Sequence, residues 1–99
     1  MSAKVKSVKE VYQMASVLFK SGVEDLQKEG LRLYLTRQLQ RLKAERFSIA
    51  KKYGISTSEE MEELYKKKEL SEKDSWEDFF ELDNIEAEIE EAEKTLAVL

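Results

Sequence analysis

The sequence predicts an all-α protein, a three- to four-helix bundle dominated by one long antiparallel helix hairpin. Three observations carry that expectation. Ala, Glu, Lys, Leu and Arg make up 53 of the 99 residues, the composition of long helices. Apolar residues recur at three- and four-residue spacing along most of the chain, with no alternation of the β type. The charge is divided: residues 1–53 carry 12 Lys and Arg against 5 Asp and Glu, a balance of +7, and residues 54–99 carry 5 against 16, a balance of −11. A basic helix lying antiparallel to an acidic one satisfies the hydrophobic and the charge patterns together.

The first helix is expected over about residues 4–20, where Val5, Val8, Val11, Tyr12, Ala15, Leu18 and Phe19 form one apolar stripe. Gly22 can end it as a left-handed cap, and Ser21 with Glu24 has the spacing of a capping box for the next helix. The second helix, about 23–53, is apolar on two faces. Leu31, Leu35, Leu39, Leu42, Ile49 and Tyr53 mark one, and Leu33, Ala44, Phe47 and Ala50 mark the other. A helix apolar on two sides touches more than one neighbour, which predicts a bundle or an oligomer, most simply a homodimer. Gly30 inside it marks a close crossing or a bend.

Gly54, after the cations Lys51 and Lys52, is a helix stop. Ser56 and Glu59 then have capping-box spacing for a short helix at about 57–68 that presents Met61, Leu64 and Tyr65. The last helix is expected over about 75–97, with Ser75 as its N-cap. Its residues Leu82, Ile85, Ile89, Ala92, Leu96 and Leu99 follow at gaps of 3, 4, 3, 4 and 3, a heptad seam, and its other faces are acidic. Residues 1–99 are read as a single helical domain.

The composition also excludes chemistry. There is no Cys and no His, so there is no thiolate nucleophile, no imidazole base and no zinc site of the Cys or His type. An enzymatic reading is thereby confined to carboxylates and a bound metal ion, and the first expectation is a non-enzymatic function with no cofactor and no metal. The charged start Met1 to Lys4 has no apolar stretch behind it and apolar runs are short, so no signal peptide or membrane span is expected and a cytoplasmic location follows.

Three constellations are candidates for function. Glu59, Glu60 and Glu63 spell EExxE, and carboxylates so spaced on a helix can face a magnesium ion. The triplet resembles the first motif of the all-α nucleotide pyrophosphohydrolases, which implies a magnesium-dependent reaction on nucleotides. The ExxD partner motif of that family has no match among Asp74, Glu77, Asp78 and Glu81. The basic first half, with Arg37, Arg41 and Lys52 on one side of the second helix, is the alternative reading as a nucleic-acid-associated protein. Because the chain is net acidic and lacks an RNA-binding aromatic motif, direct nucleic-acid contact is not the first expectation. The third constellation is Trp76, Phe79 and Phe80 followed by Glu86, Glu90 and Glu93. Aromatic anchors beside acids suit a basic protein partner.

Residues 47–96 carry a resemblance. The element Lys52, Tyr53, Gly54, Ile55, Ser56, followed by Trp76, Glu77, Ile85, Glu86, Ile89, Glu90 and Leu96, is similar to small archaeal and bacterial helical proteins of the antitoxin type. These occur beside toxins that are often ribonucleases. The resemblance implies neutralisation of a basic partner, such as a toxin, through residues 74–96. Residues 1–46 have no counterpart in it.

Overall fold

Each helix boundary follows from a local hydrogen-bond solution, and several differ from the simplest reading of the sequence. The computed structural model describes residues 4–99; residues 1–3, part of the start read above for a leader, lie outside them. The order is α1 (Val8–Phe19), α2 (Val23–Ala50) running into one 3₁₀ turn (Lys51–Tyr53), α3 (Ser58–Lys66) and α4 (Glu72–Ala97). Among the described residues there is no strand, and the all-α class holds.

Helix α1 starts at Val8 rather than at Lys4 because Ser7 is extended and its Oγ accepts the Glu10 N–H at 3.1 Å. Its stop is not Gly22. Lys20 takes the left-handed conformation (φ 55°), its N–H returns to the Ser16 carbonyl, and the Ser21 N–H reaches the same oxygen at 3.1 Å. The Ser16 hydroxyl donates to the Ser21 carbonyl and ties the joint. Gly22 is extended (φ −65°) and caps α2 without a side-chain bond, so Ser21 and Glu24 form no capping box.

Helix α2 tightens into its 3₁₀ turn and stops at Gly54 (φ 67°), with the Ile55 N–H on the Ala50 carbonyl at 3.2 Å. The next cap falls one residue later than Ser56: Thr57 Oγ1 accepts the Glu60 N–H at 3.2 Å, while the Glu60 carboxylate accepts the Ser56 N–H at 2.7 Å. Helix α4 begins at Glu72, three residues before Ser75, with Glu72 and Asp74 in its first turn where the helix dipole favours acids. Ser75 is instead a buried helical residue whose Oγ donates to the Ser71 carbonyl at 2.7 Å and pairs with the Tyr65 hydroxyl at 2.7 Å.

The core sits in one half of the molecule. Leu42 and Ile49 of α2, Met61 of α3 and Leu82, Ile85 and Ile89 of α4 are buried together, with Leu39, Tyr53, Ile55, Tyr65, Leu70 and Phe79 packed around them. Met61 and Leu82 are fully enclosed, at 0 % exposure. Along the pair of long helices, Lys52 meets Asp78, Lys43 meets Glu93 and Arg32 meets the Leu99 carbonyl. The seam is closed at Leu82, Ile85 and Ile89 and only half-buried at Ala92, Leu96 and Leu99.

The other half is an arm. Helix α1 folds back on the start of α2, with the Tyr12 hydroxyl 3.7 Å from where a Cβ on Gly30 would stand. Gly30 thus marks a helix approach. Helix α1 buries no residue, and the first buried residue of α2 is Leu42. The molecule measures 64 × 34 × 16 Å with a radius of gyration of 20.7 Å, against about 13 Å for a compact domain of this length. The isolated chain is extended.

Candidate functional site

The six residues singled out on the last helix divide into two groups. Phe79 turns inward, half-buried against the core, and stacks edge-on with Tyr65 at 5.9 Å. It passes the contact to Phe80 at 6.0 Å, and Phe80 passes it to Trp76 at 5.9 Å, both T-shaped. This aromatic ladder leads from the core to the surface, where Trp76 is 51 % and Phe80 56 % exposed. Edge-to-face pairs at such spacing hold one another's orientation.

The acids divide likewise. Glu86 is half-buried and serves α3: its carboxylate accepts the Ser58 N–H at 3.0 Å and the Ser58 hydroxyl. Glu93 reaches across to Lys43 at 4.0 Å. Glu90 stays on the outside and, among the described residues, pairs with Lys94 of its own helix at 3.1 Å. The Glu90 and Glu91 carboxylates beside Lys94 raise its affinity for a proton, so its charge is secure.

Trp76, Phe80 and Glu90 therefore share one outward face, and Asp83 and Ala87 complete it. These five positions recur at gaps of 4, 3, 4 and 3, and all are exposed. The stripe lies opposite the buried Leu82, Ile85 and Ile89, since the two sets are offset by about half a helical turn. Beside its aromatic end, Glu62 and Glu72 border a shallow groove shared with Tyr65 and Phe79. The face is a pair of aromatic anchors rimmed by carboxylates.

Behind this face lies a contact that the sequence reading missed. The Tyr53 hydroxyl donates to the Asp78 carboxylate, and Lys52 Nζ stands 3.5 Å from the same oxygen. The hydrogen bond to Asp78, then burial, then the nearby negative charge push the Tyr53 pKa up to about 12. The start of α4 is pinned to the end of α2 at this point.

The two other constellations are dispersed. In EExxE, Glu60 is spent on the Ser56 N–H and Glu63 pairs with Lys66 at 3.3 Å, while Glu59 is exposed. Among the described residues, no three Asp or Glu side chains converge into a group able to hold a metal ion. Of the three cations read on one side of the second helix, Arg41 of α2 is shared with Glu45 at 3.9 Å, and Lys52, which lies in the 3₁₀ turn, with Asp78. No helix among the described residues is long and apolar enough to cross a membrane.

Fold and face together define an all-α protein with an exposed aromatic and acidic helix surface. The chain belongs to the family described as "Uncharacterized protein MJ0235 family", which it matches over residues 1–99. No curated protein and no solved structure matches it.

Proposed function

We propose that this chain is a non-enzymatic protein-interaction module of the antitoxin-like type, which docks a basic partner on the outer face of α4. The observation that carries the reading is the half-exposed, stacked pair Trp76 and Phe80 on the same stripe as Asp83 and Glu90. Large aromatics dominate interface hot spots because they bury much area at little entropic cost. Carboxylates around them steer a cationic surface and discriminate against acidic ones. Phe79, Glu86 and Glu93 belong to the same reading as supports, since each holds the face through a contact inside the chain.

The chain works as a homodimer in this reading. A second copy closes the helical bundle whose antiparallel pair α2 and α4 a single copy leaves incomplete at the arm.

The one tryptophan of the sequence lies in the face and supplies the test. A cationic amphipathic helical peptide of Lys, Arg and Leu is titrated into the protein while Trp76 fluorescence is followed. Saturable change is expected, weakened by Phe80→Ala and by Glu90→Lys and by added salt. An equal response from Glu90→Lys and the parent, or no response at low salt, rejects the face. Glu86→Lys is the wrong probe, because it also removes the carboxylate that accepts the Ser58 N–H and hydroxyl at the start of α3.

A further inference from the structure

We infer that the arm, made of α1 and the first four turns of α2, is the contact between the two copies, and that the arms pack antiparallel into a local four-helix bundle. The inference rests on the homodimer reading and adds its surface and direction.

The arm cannot be finished as it stands. Helix α1 turns Tyr12, Ala15 and Ser16 toward α2, where they are half-buried. It carries a second apolar row at gaps of 3 and 4: Val11, Met14 and Leu18, exposed at 52 %, 58 % and 71 %. Between the helices runs an open groove with Val8, Val11 and Ala15 on one wall and Leu26 on the other. Leu33, seven residues beyond Leu26, continues that wall and is more than half exposed. A two-helix hairpin has no third layer against which to bury such a face. A specific interface takes roughly 800 Å² from each partner. The groove walls and the outer row of α1 put Val8, Val11, Met14, Leu18 and Leu33, all more than half exposed, on the surface of the arm.

Charge selects a second copy as the occupant, and it selects the direction. The arm has a tip at the α1–α2 joint and a base where α1 begins. The tip holds Glu24 and Asp25 against Lys20. The base holds Lys6 and Lys9, with Arg32 and Arg37 at the same height on α2, against Glu10. The Tyr12–Gly30 contact fixes that height. Two arms packed antiparallel set each acidic tip over the partner's basic base. Packed parallel, they set base on base, and like charges in contact oppose association.

The test uses the full chain. Light scattering at micromolar concentration is expected to give twice the 11.6 kDa chain mass. Val11→Glu with Leu18→Glu is expected to give the single-chain mass, with unchanged Trp76 emission showing that the core half stays folded. Glu24→Lys with Asp25→Lys acts at both tips of a symmetric dimer, four lost ion pairs and four new repulsions, and is expected to weaken it about a hundredfold. Adding Lys6→Glu with Lys9→Glu to that variant is expected to restore it. A monomeric parent protein overturns this inference together with the homodimer reading. A dimer untouched by Val11→Glu with Leu18→Glu, or one weakened by Glu90→Lys instead of by the tip reversal, overturns this inference and leaves the homodimer standing. Failure of the charge swap to restore the dimer overturns the antiparallel direction.

Discussion

Tyr53 shows how one side chain fastens two elements. Its hydroxyl donates to Asp78, and Asp78 also answers Lys52, so the end of α2 and the start of α4 share one carboxylate. Removing the phenolic proton breaks the hydrogen bond to that carboxylate, and burial and then the carboxylate's charge add to the cost, which is why the pKa rises to about 12. A pKa raised on folding gives stability that is whole below the unfolded value of about 10. That stability is lost as pH climbs from there through about 12. Ultraviolet titration of tyrosinate is expected to show one of the four tyrosines ionising last, and Asp78→Asn should return it toward its ordinary range. Ser75 makes a second test at this scale. Its buried hydroxyl serves both the Ser71 carbonyl and Tyr65, so Ser75→Ala leaves the Tyr65 hydroxyl unpaired at a cost of about 1–2 kcal/mol in urea unfolding. Tyr65→Phe leaves Ser75 bonded to Ser71 and is expected to cost less.

At the scale of elements, three helices end the same way on different residues. Lys20 (φ 55°), Gly54 (φ 67°) and Lys68 (φ 59°) are all left-handed. At Lys68 the stop is made by the Glu69 N–H on the Leu64 carbonyl at 2.9 Å and the Lys68 N–H on the Tyr65 carbonyl at 3.0 Å. A residue with a Cβ pays roughly 1–2 kcal/mol in that conformation and glycine does not. Lys68→Gly is therefore expected to stabilise the protein by about 1 kcal/mol, a rise of roughly 4–8 °C in Tm for a domain of this size. Gly54→Ala should lower it by a similar amount, and thermal unfolding by circular dichroism reads both. These stops also mark what the sequence could and could not reveal. Gly54 announces itself, because glycine after two lysines has a single plain reading. Lys20 and Lys68 do not, because their conformation is imposed by carbonyls and by a serine hydroxyl that only the folded joint brings near. Ser75 reads as a cap in the sequence because caps and buried hydroxyls use the same residue, and only the position of Tyr65 distinguishes them. The candidate face was legible to the same depth. Spacing placed Trp76, Phe80 and Glu90 on one helix, but the inward turn of Phe79 and the capture of Glu86 by Ser58 depend on where α3 packs.

The whole molecule is uneven, and its unevenness is measurable. Met61 and Leu82 lie at the centre of a core confined to the end of α2, α3 and α4, while α1 buries nothing. Met61→Ala opens a cavity in that core and is expected to cost about 2–5 kcal/mol. A helix held only by half-buried contacts opens locally at little cost, and its amides exchange with solvent far sooner than those of the core. In a single chain, α1 is therefore the least protected helix whatever the protein concentration. If a second copy covers the arm, opening α1 also requires separating the copies, and mass action makes that costlier as concentration rises. Hydrogen exchange at two protein concentrations, one below and one above the dimer midpoint, is expected to slow in α1 and the first turns of α2. Exchange around Met61 is expected to shift far less, because the core is complete within one chain. Protection of α1 that ignores concentration while the mass doubles would place the contact between copies elsewhere than on the arm.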